Sequence, residues 1–126
     1  MRSFDHEKLK VYQDSIGFVA RVDELLQTVP KPVSLYNQLE RASTSVPLNI
    51  AEGNGKHTSA DRCRFFDTAR GSAFECAACL DVLVAKGKIE TRVAEKGKDA
   101  LVEIVSMLIG LIRPNSKDRD VWMASE

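Results

Sequence analysis

The chain has too few histidines and cysteines for the usual metal chemistry of helical proteins. His6 and His57 stand far in sequence from Cys76 and Cys79, and neither belongs to a Glu-x-x-His pair of the kind that lines di-metal bundles. Three cysteines cannot all pair within one chain, so a disulfide framework is not expected. Cys76 and Cys79 form one Cys-x-x-Cys inside a helical pattern without a second pair, and all three thiols read as small core hydrophobes. No metal and no cofactor is expected. Charge of one sign is also missing: 18 basic residues balance 18 acidic ones, which removes the global field of a simple electrostatic binder. The longest apolar run, residues 104–112, is broken by Ser106 and falls far short of a membrane span. The start, Met1-Arg2-Ser3-Phe4-Asp5-His6, leads into charged residues and not into an apolar signal region. A cytoplasmic, soluble protein with no membrane partner is expected. The glycines of Gly53-Asn54-Gly55-Lys56 follow a helical pattern and lack the length of a phosphate loop, which argues against nucleotide binding.

Helical periodicity is what the sequence does contain, and 126 residues suffice for one domain with a sizeable core. Leu9, Tyr12, Ile16, Val19, Val22, Leu26 and Val29 step by three or four and predict an amphipathic helix over residues 7–29, ended by Pro30 and Pro32. Ser34 is expected to cap a second helix that stops at Gly53 and Gly55. Thr58 or Ser59 caps a third, with Asp61 in its first turn and a seam of Phe66, Ala69, Ala73, Cys76, Leu80 and Leu83. Gly87 ends that helix. Thr91 is expected to cap a fourth, with Val93, Gly97, Leu101, Ile104, Leu108 and Leu111 inward, until Pro114. Loops of a few residues between helices of this length predict an all-α, antiparallel up-down-up-down four-helix bundle over residues 1–114. Residues 115–126 read as a mobile polar tail carrying the lone Trp122.

The second helix organises the rest. Leu35, Leu39, Ala42, Val46 and Ile50 form its apolar stripe, and Pro47 falls inside it. A proline there removes a backbone donor and costs roughly 3 kcal/mol, so a kink is expected, with Ser43, Thr44 and Ser45 reorganising the freed carbonyls. Arg41, Ser45, Asn49 and Glu52 make a row beside the stripe. The reading adopted for Arg41, Asn49, Glu52 and Arg70 is a structural polar network, with Glu52 pairing to Arg70 of the next helix. A catalytic carboxylate at Glu52 is the sharper alternative, but no nucleophile or second acid accompanies it. No catalytic residue is assigned and no enzyme is expected. A second cluster, Lys56, His57, Arg62 and Arg64, with Arg70 beyond it, gathers around the second loop against Asp61 and Asp67. One copy of such a patch reads most simply as a solvated helix face; several copies brought together would bind phosphates in a salt-dependent way.

The segment Leu39-Glu-Arg-Ala-Ser-Thr-Ser-Val-Pro-Leu-Asn-Ile-Ala-Glu-Gly53, then Arg64-Phe-Phe-Asp-Thr-Ala-Arg-Gly-Ser72 and Glu75, resembles the four-helix-bundle proteins encoded by intervening sequences in bacterial 23S ribosomal RNA genes. The opening Phe4-Asp-His-Glu-Lys-Leu-Lys-Val-Tyr-Gln13 is similar to that family's start, with Tyr12 where tryptophan is common. The resemblance implies a bundle that assembles as a homopentamer. It also implies kinship with accessory proteins of diversity-generating retroelements, which bind nucleic acid and a reverse transcriptase. Two functions are therefore expected to compete. One is a non-enzymatic ring that binds RNA or DNA through Lys56, His57, Arg62 and Arg64; the other is an interaction module that docks a protein, such as a reverse transcriptase, on the ring or on the tail around Trp122.

Overall fold

The computed structural model describes residues 3–29 and 34–115. A 3-10 turn, Asp5–Lys8, leads into α1 (Lys10–Gln27); α2 (Ser34–Asn54), α3 (Ser59–Ala85) and α4 (Thr91–Ile112) follow, and a last 3-10 turn spans Arg113–Asn115. These elements form a four-helix bundle, with no strand among the described residues. No described helix is long and apolar enough to cross a membrane. Pro30, Pro32 and the tail with Trp122 lie outside the described residues, as does nearly all of the segment read as mobile.

The α3 seam read from the sequence is the buried one. Phe66, Ala69, Ala73, Cys76, Leu80 and Leu83 are all in the core, joined by Cys63 and Cys79. Their small members let α2 come close. At Gly53 an added Cβ would lie 2.9 Å from both Phe65 Cβ and Phe66 Cε1, so the backbone of α2 rests on the Phe66 ring and the base of the Phe65 side chain. Contacting pairs along the two helices run in opposing order: Gln38 meets Glu75, Ser45 meets Ser72, and Gly53 meets Phe66. Thr58 caps α3 by accepting the Asp61 N–H at 3.1 Å. The other end closes on Gly87, at φ +69°, where the N–H groups of Gly87 and Lys88 donate to Val84 and Leu83; glycine carries no Cβ penalty in that left-handed conformation.

Three local expectations shift. The buried face of α1 is Val11, Ser15, Phe18, Val22 and Leu26, one residue out of phase with the expected stripe, so that Ile16 is 46% exposed. Both stripes are apolar, and they merge at Val22 and Leu26, where periodicity alone cannot choose between them. Ser15 is admitted to the core because its hydroxyl donates to Tyr12 O at 2.7 Å. Ser34 and Thr91 are first helical residues and not caps; Glu90 precedes α4 in extended conformation and makes no side-chain cap bond. Finally, α2 runs as one helix through Pro47, as expected, but the hydroxyls before the proline do not serve the carbonyl it frees. The carbonyl that this proline leaves without its usual donor is that of Ser43, yet the Ser43 and Thr44 hydroxyls both donate to Glu40 O, at 2.9 Å.

Candidate nucleic-acid interface

One end of the bundle gathers the start of α1, the end of α2, the start of α3 and the end of α4. The contacts that tie it together are polar. Asn54 Nδ2 donates to Asp5 Oδ2 at 2.9 Å, joining α2 to the first turn of the chain. Cys63 Sγ donates to Asn115 O at 3.1 Å, joining α3 to the end of α4. Between them lies Arg62. Its guanidinium donates to Asn54 O at 2.7 Å and to Lys56 O at 3.3 Å, with a longer contact of 3.4 Å to Asn54 Oδ1. Asn54 O closes α2 and Lys56 O lies two residues beyond it, and a cation placed at a helix C-terminus meets both an acceptor without an intrahelical donor and the negative end of the helix dipole. The same guanidinium lies 5.6 Å from the centre of the Phe66 ring. Arg62 thus spends its guanidinium on contacts within the fold, unlike the other candidate phosphate ligands.

Lys56 and Arg64 are differently placed. Arg64 is exposed, 4.7 Å from the centre of the Phe65 ring, and Lys56 Nζ is 5.1 Å from the same centre. Arg64 also meets Asp61 Oδ1 at 3.6 Å across an exposed pair, whereas Lys56 makes no ion pair among the described residues. His57 is exposed in the intervening loop. Of the four residues grouped from the sequence, Lys56 and Arg64 thus share one aromatic ring, and His57 is exposed in the loop next to Lys56. Phe65 falls outside the α3 seam, and the signal for it in the sequence is its place directly after Arg64 and three residues after Arg62.

The row on α2 also divides. Asn49 Nδ2 donates to Ser45 O at 2.8 Å and to Ser45 Oγ at 3.0 Å, and Ser45 Oγ meets Ser72 Oγ of α3 at 2.8 Å. That is a structural polar link, built with Ser72 in place of Arg70. Arg41 and Glu52 are exposed, and no ion pair joins Glu52 to Arg70, which lies 6.0 Å from the Phe74 ring. The reason is angular. At about 100° per residue, Asn49 lies at the edge of the stripe formed by Val46, Ile50 and Gly53, whereas Arg41 and Glu52 fall on its solvent side. An open depression of about 450 Å³ runs past Arg41, Leu48, Asn49 and Glu52, and Leu48 is 62% exposed beside it.

The cysteines behave as core. Burial pushes the Cys76 thiol up to about 12, helped by the neighbouring Cys79 and Glu75, and burial raises Cys79 in the same sense. A thiol held protonated is a poor nucleophile and a poor metal ligand. Among the described residues no group of three or more His, Cys, Asp or Glu is placed to hold a metal ion.

Comparison with known proteins bears on the whole of this architecture. The family model described as 23S rRNA-intervening sequence protein matches residues 7–110. A crystal structure from Bacteroides thetaiotaomicron, described as a protein of unknown function from the S23 ribosomal protein family, is similar at a TM-score of 0.77. It shares 25% identity, and the match covers 82% of this chain and 98% of that one. No curated protein matches the sequence.

Proposed function

The chain belongs to the 23S rRNA-intervening sequence protein family, and from that premise we propose that it is a non-enzymatic, self-assembling bundle that binds RNA or DNA. The observation that carries the proposal is the convergence of Lys56 and Arg64 on the Phe65 ring, beside exposed His57. Cations braced on an aromatic face keep their charge while losing side-chain freedom, a favourable arrangement for phosphate contacts. Net neutrality does not oppose a local patch, because over distances beyond about 8–10 Å the exposed acids elsewhere are screened at physiological salt. Assembly into a ring, the homopentamer of the resemblance, would multiply the patch. Leu48 and Ile16, exposed at 62% and 46%, support the α1/α2 side as the face for such contacts.

The test is fluorescence anisotropy with a labelled oligonucleotide, titrated with salt. Binding is expected to weaken steeply as salt rises, and Lys56→Glu combined with Arg64→Glu is expected to reduce it at least tenfold. Affinity unchanged by both salt and charge reversal rejects the reading. Light scattering addresses assembly: Leu48→Glu with Ile16→Glu lowers the subunit count if that side forms the ring. A second reading, a module that docks a reverse transcriptase or other protein, is favoured by the same exposed Leu48. It gains if Leu48→Glu abolishes capture of a purified reverse transcriptase while oligonucleotide binding is absent in the unaltered protein.

A further inference from the structure

The ring of Phe4 is 74% exposed, yet it is held in place. Its backbone N–H donates to Glu7 Oε2 at 3.0 Å, and its carbonyl accepts the Glu7 N–H at 3.1 Å. The side chain stacks on His6, with ring centres 5.9 Å apart and planes 9° from parallel. His6 in turn meets the edge of Tyr12 at 4.7 Å and 71°, and Tyr12 packs against the core. Three rings thus form a ladder braced at its inner end and open at its outer one. An aromatic side chain that serves only the fold gains by burial; this one is oriented and left in water.

The ladder stands on the same end of the bundle as the cationic pair. Asp5, between its first two rings in sequence, accepts the Asn54 side chain at 2.9 Å, and Lys56 follows Asn54 by two residues, at most ~7 Å of chain. Three acids at this end are engaged: Glu7 with the Phe4 N–H, Asp5 with Asn54, Asp61 with Arg64. We infer that Phe4 is a stacking platform for an unpaired nucleobase, so that the nucleic acid bound at this end is single-stranded, its base on Phe4 and its phosphates on Lys56 and Arg64.

This rests on the nucleic-acid reading above and narrows it. A base inside a duplex is covered on both faces and offers nothing to a flat ring, while a free base of any identity stacks on one. A protein partner fits less well. The one side-chain partner of the ring is His6, and the contact next to it in sequence is the polar pair of Asp5 and Asn54; a protein hot spot needs a wider apolar surround than these supply.

The experiment uses the full chain and a short single-stranded oligonucleotide carrying 2-aminopurine, whose fluorescence falls on stacking, at about 50 mM salt. Binding is expected to quench it in the unaltered protein and in Phe4→Trp. In Phe4→Ala the quench is lost and affinity falls about tenfold, and a duplex of the same sequence binds more weakly than the single strand. Quenching and affinity unchanged in Phe4→Ala overturn the platform. If Lys56→Glu with Arg64→Glu still weakens binding in that case, the nucleic-acid reading survives alone; if no oligonucleotide binds, both fall. A changed subunit count in Phe4→Ala at unchanged oligonucleotide affinity assigns the ring to a protein contact and also overturns the platform. Circular dichroism identical among the variants, expected for so exposed a residue, excludes misfolding as the cause of any loss.

Discussion

Halfway along α2, Ser45 and Asn49 face α3 and close a polar link with Ser72, whereas at the helix's C-terminal end the carbonyls of Asn54 and Lys56 face the guanidinium of Arg62. The first link joins neutral groups at the margin of the core and leaves the charged members of its row, Arg41 and Glu52, in water. The second draws a full positive charge to the edge of the core and leaves other cations, Lys56 and Arg64, on an outer ring. In both places a side chain's role follows from its angle to the buried stripe more than from its chemical type. Arg62 stands four residues before Phe66, on the same face of α3, while Arg64 stands nearly opposite.

The comparison breaks first at the ring on which the helix-end region rests. Phe66, fully buried beneath Gly53 and beside Arg62, is expected to cost about 3–5 kcal/mol on change to Ala. Urea unfolding measures this, and a loss below about 1 kcal/mol would mean that the α2–α3 seam is not packed as described. Next comes Arg62→Ala. Two helix-end carbonyls lose a charged donor at a half-buried site, so about 1–2 kcal/mol is expected after allowing for solvent screening. Arg62→Lys restores the charge without the fork that reaches both carbonyls, and is expected to recover only part of the loss.

How far these roles could be read in advance differs along the chain. The four helices were legible because their apolar steps are continuous, and the α3 seam because small and large residues share one phase. On α1 two apolar stripes lie about 100° apart, and the choice between them is made by what α2 and α4 present, which no local pattern contains. Asn49 belongs to the row that the sequence spacing picks out, but the link runs through Ser45 to Ser72, which carries no charge to draw notice. Arg62 was grouped with Arg64 by type, although its spacing to Phe66 already placed it inward.

The smaller effects sharpen the contrast. Ser72→Ala removes one hydroxyl from the mid-helix link while Asn49 still donates to Ser45, so about 0.5–1 kcal/mol is expected. Thermal or urea unfolding resolves it, and a loss as large as that of Arg62→Ala would erase the distinction between the two regions. Arg41→Ala and Glu52→Ala, on exposed side chains without ion pairs among the described residues, are each expected to stay within about 0.5 kcal/mol. A larger change in the isolated subunit would restore the network first read from the sequence; one that appears only in the assembled protein would place those side chains at a subunit contact.

The most direct measurement sets Arg62→Ala beside Arg64→Ala, with a salt-titrated oligonucleotide binding curve and a thermal melt for each. The expected result is a clean exchange. Arg64→Ala lowers the log–log salt slope by roughly 0.7 to 1 and leaves Tm in place, while Arg62→Ala lowers Tm by about 5 °C and leaves the slope. A slope indifferent to Arg64→Ala, or one that falls with Arg62→Ala while Tm holds, would contradict the division of labour between these two arginines.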